Sequence, residues 1–106
     1  MSFENAALPL VVTHPDGRVA MANRAMCELL GYGFADIVNR PVWELHAEPE
    51  RGERCFHKLL QTGKARENLL VLRRSDGQSV PTYSSGLVTR DDRGTVIYAI
   101  AQSLPI

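Results

Sequence analysis

Residues 8–31 read LPLVVTHPDGRVAMANRAMCELLG, and three elements can be read from them directly. Residues 8–13 are an apolar, β-branched run, the composition of a short strand. His14-Pro15-Asp16-Gly17 turns the chain, because proline presets φ and glycine supplies positive φ. Residues 18–22 return as the second strand of a hairpin. Asn23 stands where a helix N-cap is needed, three residues before Met26 opens an apolar stripe of Met26, Leu29 and Leu30. Gly31 and Gly33 end that helix.

Working outward, residues 34–38 give one helical turn, Asn39 suits a left-handed position, and Pro41 serves as the first residue of another turn over 42–45. Glu48-Pro49-Glu50 opens a longer helix with negative charge at its positive dipole end. Cys55, Phe56, Leu59 and Leu60 are its apolar stripe, and Thr62-Gly63 closes it. Residues 67–74, 79–90 and 95–103 are strand-like, with turns at Ser75-Asp76-Gly77 and Asp91-Asp92-Arg93-Gly94. Two strands, a helical excursion and a three-strand meander predict an α+β domain, one antiparallel sheet with helices on one face.

The chain has 106 residues, 44% of them hydrophobic, which is enough for one domain with a real core. Twelve Lys and Arg balance twelve Asp and Glu. That balance argues against a nucleic-acid platform or a membrane-surface footprint. No apolar run approaches the length of a membrane span, and residues 1–9 do not read as a secretory signal. Cys27 and Cys55 have neither disulfide-framework nor zinc spacing, which fits reduced thiols and a cytoplasmic location.

The ordered set of stretches resembles the PAS domain, a sensor and signalling module. The matching segments are residues 10–19, Ala22-Asn23-Arg24-Ala25, Leu29-Leu30-Gly31-Tyr32, residues 36–41, Arg73-Arg74-Ser75-Asp76-Gly77 and Gly94-Thr95-Val96-Ile97-Tyr98. They run in the family's order and spacing over about residues 3–104. The resemblance implies a five-stranded antiparallel sheet of order 2-1-5-4-3 and a single PAS domain over 1–106, its core about 8–104 and residues 1–7 a flanking segment. It also implies a module attached to a histidine kinase, a cyclic-dinucleotide enzyme or a transcription regulator, and not an enzyme in itself.

The flavin-photosensor branch of the family carries a reactive cysteine where this chain has Val42. Its flavin-contacting Asn and Gln positions match Leu72, Thr82 and Ser103. In the oxygen-sensing haem branch the axial histidine falls at Gly52, and His57 lies five residues further on. Both signatures are therefore absent, and no cofactor is expected. His57 reads as a partly exposed helix histidine, and His14 and His46, beside turns, are expected to face solvent. Asn23 needs no role beyond its cap, Cys55 reads as a small core residue, and Trp43 as core packing or a pocket wall.

Strands alternate faces with period two. The resemblance assigns Val80, Thr82, Ser84, Gly86 and Val88 to the helix-covered face, together with Ile97, Ala99, Ala101 and Ser103. This inner set is small and partly hydroxylic. Either Met26, Leu30, Trp43, Phe56, Leu59 and Leu60 fill the space above it, or a cavity remains for a small neutral ligand, with Cys55 and Leu72 among its walls. The outer set of Tyr83, Leu87, Tyr98, Ile100 and Leu104 is apolar for a solvent face and reads as an interaction surface. Phe3, Ala6 and Leu8 extend it, and a homodimer through this face is expected. Two functions follow: a sensor relaying a small-ligand signal through its sheet to the parent protein's output domain, or a ligand-free module for dimerisation and docking. Acid–base catalysis has little support, since the carboxylates cluster at turns and helix ends.

Overall fold

The computed structural model describes residues 4–89 and 96–103, with the backbone alone for 66–68 and 96–103. β1 (Leu10–Thr13) and β2 (Val19–Ala22) form the first hairpin. At its turn Gly17 sits at φ 95°, a conformation that favours glycine. A side chain there would also have no room, because a Cβ would lie 2.3 Å from Trp43 Cζ3. Asp16 closes the turn by accepting the Arg18 N–H at 3.0 Å, and that hydrogen bond holds its carboxyl below the usual range.

Helix α1 (Arg24–Leu30) starts at the Asn23 cap and stops at Gly31, φ 77°. Helix α2 (Phe34–Ile37) is a single turn, and Asn39 takes the left-handed position at φ 66°. A 3₁₀ turn, Val42–Leu45, follows Pro41, which caps it from outside and is not its first residue. Helix α3 (Pro49–Thr62) ends on Gly63, whose N–H donates to Leu59 O at 2.8 Å.

The chain then returns as β3 (Lys64–Arg73), β4 (Ser79–Val88) and β5 (Val96–Ser103). β3 begins three residues before the expected start at 67, because Gly63 reverses the chain straight into it. The Val88 N–H then donates to Gly63 O at 2.9 Å and fixes that corner. All five strands lie in one antiparallel sheet, with neighbours β2-β1-β5-β4-β3. The turn expected at Asp91-Asp92-Arg93-Gly94, Phe3 and Leu104 lie outside the described residues.

β4 alternates as its sequence implies: Val80, Thr82, Ser84 and Gly86 are buried while Tyr83 and Leu87 are exposed. β5 does not keep its expected phase. Its backbone pairs Ser103 with Thr82 and Gln102 with Tyr83, then skips Ala101 and pairs Ile100 with Ser84. Tyr98 consequently opposes Gly86 on one side and the buried Val11 on the other. A one-residue bulge reverses the face of everything beyond it. The side chains of 96–103 lie outside the described residues, and with them the expected faces of Tyr98, Ala99, Ile100, Ala101 and Ser103.

The core lies between the sheet and the helices. Val11, Val19, Met26, Leu30, Ile37 and Phe56 are essentially inaccessible to solvent. Burial of a side chain as large as Phe56 or Leu30 contributes about 2–3 kcal/mol.

Candidate functional site

Between the sheet and the 3₁₀ turn there is an interior cavity of about 20 Å³. That is room for about one water molecule. Of the residues expected to line a pocket, Met26, Leu72 and Ser84 border it. Leu30, Phe56 and Leu59 are buried in the packed core. The Thr82 hydroxyl donates to Leu70 O at 2.8 Å and lies 3.1 Å from Ser84 Oγ, so the hydroxylic part of the inner wall is internally hydrogen-bonded. Trp43 is not at the cavity. It covers the Gly17 turn and packs against Phe56, ring centroids 5.6 Å apart. Cys55 lines a different hollow, between α3 and β3. For Ala99, Ala101 and Ser103 the backbone alone is described.

The residues that complete the cavity, Val11, Val42, Leu45, His46 and Leu70, were not singled out from the sequence. Val11 and Leu70 sit in unbroken apolar runs, residues 10–12 and 69–72, in which no alternation marks the inward face. His46 carried no signal, and its placement corrects the expectation of a solvent-facing residue. The antiparallel bridge between His46 and Leu72, with the Ala47 N–H donating to Val71 O at 2.9 Å, pulls this segment onto the end of β3. The imidazole is thereby largely buried, and burial pushes its pKa down to about 4.

Gly52 explains how the ring is accommodated. A Cβ at position 52 would lie 2.7 Å from His46 Cγ, so α3 leaves room for the imidazole by carrying glycine there. Gly52→Ala is expected to lower stability by about 1 kcal/mol, because overpacking costs about 1–3 kcal/mol and the better helix propensity of alanine returns about 1. Thermal denaturation checks this, and a rise in Tm would show that the ring has space to spare. His57 points away from the core, 59% exposed, with Nε2 3.5 Å from Glu53 Oε2.

Asn23 does more than cap a helix. It is fully buried. Its Oδ1 accepts from both Met26 N–H (3.0 Å) and Leu10 N–H (2.9 Å), and its Nδ2 donates to Leu8 O (2.8 Å). One side chain thus joins α1, the start of β1 and the segment preceding it.

On the opposite side of the sheet Met21, Leu69, Val71, Tyr83 and Leu87 are exposed, Leu87 at 52% and Leu69 at 48%, and Leu8, just before β1, is exposed as well. Leu69 opposes Tyr83 and Val71 opposes Pro81, so the two exposed strands β3 and β4 share one apolar surface. Among the described residues no group of His, Cys, Asp and Glu is placed to hold a metal ion, and no helix is long and apolar enough to cross a membrane.

One antiparallel sheet, helices on one face and a packed core among the described residues define an α+β domain, with an exposed apolar surface on the far side of its sheet. The model of the PAS domain family matches residues 8–103, and the chain belongs to that family. Solved structures share the fold at low sequence identity. The PAS domain of an HTR-like protein from Haloarcula marismortui is 21% identical, with a TM-score of 0.77, covering 96% of this chain and 90% of that one. A domain of a sensory box sensor histidine kinase/response regulator from Geobacter sulfurreducens is 14% identical, with a TM-score of 0.81, covering 94% and 87%. The PAS domain of a LuxR-family transcriptional regulator from Burkholderia thailandensis, solved in complex with ethanol, is 17% identical, with a TM-score of 0.78, covering 96% and 93%. Comparison with curated proteins gives no match. PAS domains are sensor and signalling modules and are typically not catalytic.

Proposed function

We propose that residues 1–106 form one signalling domain of a larger cytoplasmic regulatory protein, working by protein contacts made through the outer face of its sheet. A second copy of the chain is the partner, with Leu8 and the N-terminal segment extending the contact. The output domain of the parent protein, a histidine kinase, cyclic-dinucleotide enzyme or transcription regulator, receives the signal. The observation that carries this reading is the exposed apolar face of the sheet, beside an interior that is closely packed among the described residues. The Burkholderia relative was solved with ethanol. Here the hollow bordered by Met26, Leu72 and Ser84 is of about 20 Å³, room for about one water. That favours docking over sensing by an interior ligand.

Apolar side chains left in water at Tyr83, Leu87, Leu69 and Met21 gain by being covered. The wild-type chain is expected to dimerise at high micromolar concentration in sedimentation equilibrium. Leu87→Glu combined with Tyr83→Glu, which places carboxylates in the apolar surface, should weaken the dimer at least about tenfold while leaving the fold intact by circular dichroism. A clean wild-type monomer would overturn the reading. So would a flavin or Soret band in the absorption spectrum of freshly purified protein.

A further inference from the structure

A groove separate from the interior cavity runs between α3 and the free edge of β3. Two hollows of about 430 and 210 Å³ share Arg51, Leu69 and Leu70 and so form one continuous depression. β3 is an end strand of the sheet, and the His46–Ala47 segment covers that edge only at Val71 and Leu72. Upstream of those residues the edge opens into the groove.

The lining has two chemistries. Ala65 and Leu70 make an apolar floor, with the nearly inaccessible Leu59 beneath it, while Arg51, Lys58 and Lys64 border the larger hollow and Glu48 stands beside Arg51 in the smaller one. Arg51 and Lys58 stand seven residues apart on α3, which puts them on one helix face. None of the three cations forms an ion pair among the described residues. In a chain of zero net charge this is a local concentration of positive charge over apolar surface. A volume of this order is that of a small-molecule site.

We propose that the groove binds a small amphiphilic carboxylate, its head group at Arg51, Lys58 and Lys64 and its linear apolar tail along Ala65 and Leu70. An exposed ion pair contributes little by itself. The tail therefore holds the ligand and the cationic rim selects its charge. A neutral alcohol of the same length leaves the rim unmatched, an ammonium is repelled, and a bare inorganic anion leaves the floor in water. The two surfaces meet at Leu69, which borders the groove and is also one of the exposed apolar residues of the sheet.

The test titrates the whole chain with sodium octanoate, 1-octanol, octylammonium chloride and inorganic phosphate, read by backbone amide shifts. Octanoate should saturate at millimolar concentration or below and bind at least about tenfold tighter than the other three. Its shifts should centre on Lys64, Ala65 and Leu70, and it should slow alkylation of Cys55, which lines the groove, but not of Cys27. Lys58→Gln with Lys64→Gln should reduce octanoate affinity about tenfold at unchanged Tm. Equal binding of octanol or phosphate, shifts centred on the interior, unaffected binding by the double variant, or no octanoate binding would each overturn the proposal. Binding of an acidic peptide without octanoate would do so as well.

Discussion

Asn23→Ala is expected to remove about 4 kcal/mol of stability. The helix cap alone is worth about 1 kcal/mol. The rest follows from what the side chain leaves behind. Met26 N–H and Leu10 N–H share Oδ1, and Leu8 O accepts from Nδ2, all at a fully buried position. Each buried backbone group stripped of its partner costs about 1–3 kcal/mol, and water reaching the site offsets part of that sum. Against a total stability of about 5–15 kcal/mol for a domain of this size, the variant is marginal. Asn23→Ser separates the two contributions. Serine restores the cap to Met26 but cannot span to Leu8 and Leu10, so it should recover about 1 kcal/mol only. Urea denaturation of the three proteins gives the numbers, and hydrogen exchange at the Leu10 amide should accelerate in both variants. A loss below about 1 kcal/mol in Asn23→Ala would mean that the cap is the whole role.

The same residue shows how far the sequence could be read. Its cap was legible because capping is local: Asn precedes an apolar helical stripe by a fixed offset. The bonds to Leu8 and Leu10 span 15 and 13 residues, and no local pattern announces them. The elements themselves were legible for the same reason. Asn39, Gly31 and Gly63 each stand where the backbone requires positive φ. The phase of β5 was not, because Ala101 is bulged and a single skipped residue is invisible to a period-two count. The inner face of β4, which has no bulge within it, alternates as its sequence implies. The interior cavity fell between these cases. Met26, Leu72 and Ser84 lie on regular elements, whereas His46 is buried by a bridge to a strand 26 positions away in the chain.

That burial makes His46 the residue that ties the fold to pH. In the unfolded chain its imidazole has the ordinary pKa of 6.5, and in the folded domain burial holds it at about 4. Between those values the unfolded state binds the proton and the folded state does not, so acidification favours unfolding. The stability tied to the neutral ring is complete above pH 6.5 and is lost as pH falls towards 4, about 3 kcal/mol in all. Asp16 works in the same direction but lower on the scale, since its carboxyl is held below the ordinary 3.8 by the Arg18 N–H. The two windows separate, and comparison with His46→Leu isolates the share of the histidine between pH 6.5 and 4.5. Glu48 and Arg51 border the same hollow as His46, yet burial is what displaces its pKa. His46→Leu keeps an apolar body over Gly52 and removes the titrating group. Urea midpoints measured at pH 7.0, 5.5 and 4.5 should fall steeply for the wild-type chain and stay nearly level for His46→Leu. If both proteins lose stability along the same slope, the imidazole is solvated in solution. The packing of its segment against Leu72 would then be looser than the bridge implies.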